Sequence, residues 1–219
     1  KSTVVFKPDW HKGVVGIVAS RLIESHYRPT IVLTEHDGKC TGSARSVKGF
    51  DVYDAIDACA DLVEQFGGHK YAAGLTIKKD NLAAFVERFE AVVSATIQPD
   101  MLTPEIMIDA AIPLQQIDTK LYRILKQMGP FGPGNPSPVF MSEGVVDRGY
   151  GRKIGQEQTH LKLSVTDTGR SQFIDSIGFG MADKFNTIKD GQSFDICYAL
   201  EENEWNGKVS LQLRLKDVR

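Results

Sequence analysis

Hydrophobic positions change their spacing several times along this chain, and each change predicts an element. Residues 3–6 are β-rich and stop at Pro8, which reads as a short strand. From Gly13 to Ser25 the apolar residues Val14, Val15, Ile17, Val18, Leu22 and Ile23 recur at helical spacing, with Arg21 and Glu24 on the other face. Pro29 ends that helix, because the residue before a proline is pushed towards extended backbone. Residues 30–34 are a short apolar run between turn signals, the pattern of a buried strand, and residues 39–45 read as its neighbour. Asp51 is placed to cap a helix through Leu62, with Val52, Ala55, Ile56, Cys59 and Leu62 inward. Residues 72–77 follow as a strand. Asn81–Ile97 then form a long helix with Leu82, Phe85, Val86, Phe89, Val92 and Val93 on one stripe.

The alternation of strands and helices argues for an α/β (α+β) first region with a mixed sheet and flanking helices. Residues 105–112 read as a further strand and 118–128 as a further helix. Residues 129–138 hold four prolines and three glycines, which sustain neither a helix nor a central strand, so a boundary is expected there. Beyond it come short β runs at 139–141, 145–148, 160–166, 173–179, 194–200 and 209–215. Asn206-Gly207 makes a tight hairpin turn and a short helix lies near 181–185. Some five strands in about 80 residues resemble a small all-β barrel of the OB-fold type. The expected organisation is therefore a first domain over 1–100, a connecting strand, helix and Pro/Gly-rich linker over 101–138, and an OB-fold-like domain over 139–219.

Charge adds one restriction. The net charge is -2, with 15 Lys+Arg against 16 Asp+Glu in residues 1–138 and 11 against 12 in the remainder. Binding to a nucleic acid must then come from a local basic groove, not from the overall field. The three cysteines, Cys40, Cys59 and Cys197, have no CxxC spacing, which supports neither a disulfide framework nor a cysteine zinc site and fits the reducing cytoplasm. No signal peptide or bilayer-spanning apolar run is present. The chain opens on strand-like residues without an initiator methionine and reads as a piece of a longer protein.

Two short clusters carry the candidate chemistry. In Gly42-Ser43-Ala44-Arg45-Ser46, strand alternation points Ser43 and Arg45 the same way, so a guanidinium and a hydroxyl can grip one phosphate together. The alternative is a surface strand end whose arginine pairs with an acidic neighbour. In Phe66-Gly67-Gly68-His69, the glycines permit a turn with uncovered amides, an anion-binding nest, beside a histidine able to donate to a phosphate. Here the alternative is a glycine turn followed by a structural histidine. His11 and Lys12, at the start of the first helix, are further candidates for the same ligand. In the C-terminal region Arg148, Tyr150, Arg152, Lys153 and Lys162 form a basic set with aromatic neighbours, the composition that tracks phosphates and stacks bases of single strands. Against this, Phe173, Phe179 and Phe194 can be read as barrel core. No aspartate-histidine-histidine string or close set of carboxylates is seen that would hold two metal ions.

The segment Asp9–Leu22 (DWHKGVVGIVASRL), the GSARS string, the FGGHKYAAG string and Gly129–Pro136 (GPFGPGNP) occur in the order found in the RecJ family of bacterial single-strand-specific exonucleases. The resemblance covers essentially the whole chain. Residues 1 to about 100 are similar to the family's DHH-associated domain, and the part after Pro138 resembles its OB barrel. It implies digestion of single-stranded DNA from the 5′ end in recombination and repair. It also implies manganese or magnesium held by an N-terminal DHH domain, so that no catalytic or metal-binding residue lies in this stretch. Ser43, Arg45 and Ser46 match the family's substrate-gripping string, and Gly67, Gly68 and His69 its glycine-glycine-histidine loop. Single-strand-binding protein and a helicase are the implied protein partners, besides single-stranded DNA. Other expectations are a phosphodiesterase for dinucleotides or very short oligonucleotides, and a non-catalytic binding module.

Overall fold

The computed structural model describes residues 1–167, 173–188 and 191–219. These divide into two units, Lys1–Glu105 and Ile106–Arg219. The first runs β1 (Thr3–Phe6), α1 (Val15–Ser25), β2 (Thr30–His36), β3 (Lys39–Arg45), α2 (Val52–Asp57), β4 (Val63–His69), β5 (Ala72–Lys78) and α3 (Leu82–Thr96). Its sheet has the order β1-β2-β3-β5-β4, parallel only between β1 and β2.

Alternation sorts this sheet into two faces. Ile31, Leu33, Cys40, Ala44, Ala73, Leu75 and Ile77 point to one side and meet Val52, Ala55, Ile56, Phe85, Phe89 and Val93 of α2 and α3. On the other side Val32 meets Val15 and Ala19 of α1, with Val5, Trp10, Val18 and Leu22 around them. Because α1 packs on β2 and β3, the β5–β4 half of that second face is left open.

Local signals explain most element ends. The Asp51 carboxylate accepts from the amides of Tyr53 and Asp54 and starts α2. That helix ends at Asp57, and a 3₁₀ turn over Ala60–Leu62 carries the chain into β4, where one continuous helix to Leu62 was expected. The larger difference is β4 itself. Gly67 and Gly68 form no turn: they lie within a strand paired to β5, and the hairpin turns at Lys70-Tyr71. Two adjacent glycines lower strand propensity enough to hide the strand in the sequence.

The second unit contains β6 (Ala110–Ala111), α4 (Thr119–Gln127), β7 (Phe140–Asp147), β8 (Arg152–Ile154), β9 (His160–Asp167), β10 (Ile174–Gly178), β11 (Phe194–Trp205) and β12 (Lys208–Val218). Strands β7, β11, β12, β10 and β9 follow one another, and β7 pairs again with β9, closing a barrel in which β10 and β12 run parallel. This is OB-fold connectivity. At the β11–β12 hairpin both Asn206 (φ 50°) and Gly207 (φ 74°) take the left-handed conformation, as a two-residue turn demands.

The organisation differs from an independent linker over 101–138. Leu114 and Ile117 are buried in the barrel core and Leu121, Tyr122 and Leu125 pack on it, so this stretch belongs to the second unit. The Pro/Gly-rich stretch is a loop inside that unit, held where Asn135 Nδ2 donates to the carbonyls of Met128 and Pro130. Proline and glycine mark a break in regular backbone, which need not be a break in packing. Only two residues of the expected strand at 105–112 join the sheet, through β6.

A buried relay stitches that segment in place. Ser142 Oγ donates to the Ile112 carbonyl at 2.6 Å, so the Tyr198 hydroxyl, 2.7 Å away, donates to Ser142. Burial pushes the Tyr198 phenol up to about 12. A folded-state pKa above the unfolded value gives stability that is complete below pH ~10 and lost as pH rises through 12. Wild-type protein should therefore lose about 2 kcal/mol more than Tyr198→Phe between pH 9 and 12. Urea unfolding midpoints across that range check this, and equal losses in both proteins would refute it.

Candidate nucleic-acid interface

The open half-face of the first sheet is built from three strands in register. Thr41, Ser43 and Arg45 of β3 lie opposite Thr76, Gly74 and Ala72 of β5, which lie opposite Gln65, Gly67 and His69 of β4. All nine share one side, because paired residues in antiparallel strands point the same way. None of the nine is acidic. Ser43, Gly74 and Gly67 thus form one row across the strands, and Arg45, Ala72 and His69 form the next.

Arg45 is half-buried, and Nη1 donates to the carbonyl of Ala44 at 2.8 Å. Among the described residues no carboxylate lies within 4.0 Å of its guanidinium. Helix α1 approaches here at Gly16: a Cβ built on that glycine would stand 2.8 Å from Arg45 Nη2 and 3.4 Å from Ser43 Oγ. Gly16 therefore lets the helix close on both side chains. His69 is exposed, and its Nδ1 accepts the Tyr71 amide at 3.3 Å. That bond places the proton of the neutral ring on Nε2, which is left as a donor.

Two expected site residues sit differently. Ser46 donates its hydroxyl to the Phe50 carbonyl at 2.9 Å, so its proton is already used. Gly68 opposes Ala73 on the core side, where an added Cβ would stand 2.6 Å from the Ala73 Cα. It is there for close packing of the hairpin, and with β4 a strand there is no amide nest. His11 and Lys12 are exposed just before α1, and His11 Nδ1 accepts the Gly13 amide at 3.1 Å. No hydrogen bond or ion pair ties them to Ser43 or Arg45 among the described residues.

On the barrel, the structure gathers Arg148, Tyr150, Arg152 and Lys162 around β9 and the loop before it, whereas Lys153 lies opposite the buried Leu161 and so points to the other side of the sheet from Arg152 and Lys162. The Asp147 carboxylate organises that loop by accepting from the amides of Gly149, Gly151 and Ser164. Arg148 stacks on Phe173 at 4.3 Å and on Tyr150 at 5.6 Å. Arg152 pairs with Lys162, which lies opposite Ile177 and then Arg214. Lys153 sits 6.0 Å from the Phe185 ring. Phe194 is core, as the barrel-core alternative has it, but Phe179 is 51% exposed, edge-on to His160 at 5.3 Å and under Arg214 at 5.5 Å. Phe179, His160 and Arg214 come from three separate segments, and no local motif links them. Tyr198 lies in the barrel interior and Trp205 is 74% exposed.

Family models match each half of the chain. A family model for the RecJ OB domain matches residues 108–217, and one for the DHHA1 domain matches residues 1–95. The chain belongs to the RecJ family. Among relatives named single-stranded-DNA-specific exonuclease RecJ, the Bacillus subtilis protein is 34% identical over 98% of this chain and 27% of its own length. The Escherichia coli RecJ is 31% identical over 98% of this chain and 37% of its own length. The crystal structure of RecJ from Thermus thermophilus in complex with Mn2+ superposes with a TM-score of 0.80 at 28% identity, covering 100% of this chain and 31% of that one. This chain thus spans about a third of the length of the RecJ proteins it matches.

A divalent metal would need converging oxygen, nitrogen or sulfur donors. Among the described residues no three His, Cys, Asp or Glu side chains meet in that way. The three cysteines are buried thiols, pushed up by their burial. Among the described residues no helix is long and apolar enough to cross a membrane.

Proposed function

We propose that this chain is the strand-holding part of a single-stranded-DNA-specific 5′-to-3′ exonuclease acting in recombination and repair. One observation carries the proposal: Ser43, Arg45 and His69 share an open part of the first sheet's face, whose nine positions include no acidic residue. Arg45 and Ser43 take one phosphate, the guanidinium through two oxygens and the hydroxyl through a third bond. His69 donates through Nε2 to the same strand. On the barrel Arg148, Arg152 and Lys162 follow phosphates while Tyr150 stacks on a base. Lys12 adds a positive charge just before α1, and His11 beside it offers its Nε2–H as a donor.

Manganese and magnesium are bound by the Thermus thermophilus relative. We assign metal-dependent hydrolysis in the whole enzyme to its portion outside this matched third. The proposed compartment is the cytoplasm, where a helicase and single-strand-binding protein would present the strand. A barrel is superfluous for a dinucleotide, which disfavours the short-substrate phosphodiesterase.

The chain should bind a labelled single-stranded oligonucleotide weakly, with affinity that falls as salt rises because phosphate contacts release counterions. A duplex of the same length and a dinucleotide should bind more weakly. Fluorescence anisotropy at low salt measures all three. Absent single-strand binding, or equal affinity for the dinucleotide, would count against the proposal.

A further inference from the structure

We propose that Gly67 and Gly74 are a side-chain-free track on which the sugar–phosphate backbone of a single strand lies in direct contact with the sheet. This rests on reading the Ser43–Arg45 face as a phosphate site and adds the path the strand takes across it. A glycine inside a strand costs roughly 0.5–1 kcal/mol relative to alanine, so each one asks for a reason. Gly42 and Gly68 have one in crowding, since an added Cβ would stand 2.8 Å from Leu33 Cδ2 at the first and 2.6 Å from Ala73 Cα at the second, and Gly68 has another in its positive φ of 151°.

Neither local reason applies to Gly67 or Gly74. Both have ordinary negative φ, so the backbone does not demand glycine. A Cβ on Gly67 would meet nothing within 4 Å, and one on Gly74 only the Gly42 carbonyl at 3.8 Å, an ordinary contact. The two are exposed, opposite each other, and in the same row as Ser43. In the next row Ala72 is the small residue between Arg45 and His69.

Together they leave a strip of bare backbone between longer side chains. Ser43 and Arg45, backed by Gly16, form one side, and His69 the other. At one end Thr41 and Thr76 meet through their hydroxyls at 3.4 Å, beside Gln65. Two strand spacings put the Cα atoms of Arg45 and His69 about 9.5 Å apart, room for a sugar ring between the two donors. The ligand that fits is an uncharged ring between anionic groups that hydrogen-bond to Arg45 and His69. A peptide would instead add to the free edge of β4, where backbone groups are available.

The test uses the intact enzyme with a labelled single strand. Gly74→Val should fold and melt at or above the wild-type temperature, yet raise KM by about tenfold or more, with Gly74→Ala between the two. Gly67→Val should behave alike and serves if Gly74→Val does not fold. Arg45→Ala separates the outcomes. If Arg45→Ala raises KM while the folded valine variant matches wild type, the track is refuted and the phosphate site stands. If neither variant changes KM, both the track and the phosphate reading of the face fall.

Discussion

Arg45→Ala lowers kcat/KM of the intact enzyme on single-stranded DNA by about 100-fold, chiefly through KM. Charge-assisted hydrogen bonds are worth ~1.5–3 kcal/mol each, and a bidentate grip makes two. Arg45 can spend that energy on a ligand because its own structure asks little of it: a single bond to the Ala44 carbonyl and, among the described residues, no carboxylate within 4.0 Å. For the same reason the variant should fold normally, with stability within about 0.5 kcal/mol of wild type. Arg45→Lys keeps a point charge but loses the planar fork, so it restores only part of the activity. It should preserve the slope of log affinity against log salt, which Arg45→Ala reduces by about one. Steady-state kinetics together with salt-dependent binding measure both effects. An Arg45→Ala enzyme with wild-type KM would remove the basis of the proposed function.

Gly42→Ala, three residues away, has a large effect of the opposite kind. Its new methyl would point to the core side, 2.8 Å from Leu33 Cδ2, 2.9 Å from Leu33 Cα, and nearer still to the Val32 carbonyl oxygen. Two of these are backbone atoms of β2, so relief requires β2 and β3 to move apart. Ile31, Val32 and Leu33 are all 0% exposed, which leaves the sheet no slack. The cost should be about 3 kcal/mol or more, a large fraction of the ~5–15 kcal/mol that holds a domain together. For a unit of this size the melting temperature should fall by roughly 12–24 °C. Thermal melts of Gly42→Ala and Gly74→Ala side by side decide it, since the second should melt no lower than wild type. Two glycines in adjacent strands would then be separated experimentally into one for packing and one for substrate. Melting of Gly42→Ala at the wild-type temperature would show that the close approach of β2 is not tight.

The same pair shows why part of this site cannot be seen in a sequence. Gly42, Gly67, Gly68 and Gly74 are one letter repeated, and only their neighbours across the sheet tell crowded from open. Phe179 reads as barrel core from its apolar surroundings in sequence, yet it stands outside with Arg214 and His160, because β10, β12 and β9 meet only in the folded barrel. Likewise Leu114 and Ile117 look like part of a linker until the barrel core closes over them.

What the amino-acid order alone determined is whatever depends on neighbours a few residues apart. The bounds of β3, the capping of α2 by Asp51, the stripe of Phe85, Phe89 and Val93, and the Asn206-Gly207 turn all follow from local conformational preference and short-period burial. Ser43 and Arg45 sharing a face belongs here too, since a strand alternates every two residues. Tertiary structure alone decided that β5 lies between β3 and β4, and so set Arg45 and His69 in one row with only the small Ala72 between them. Strand order is a choice among long-range pairings of similar local energy, and packing against α2 and α3 on one side and α1 on the other selects among them.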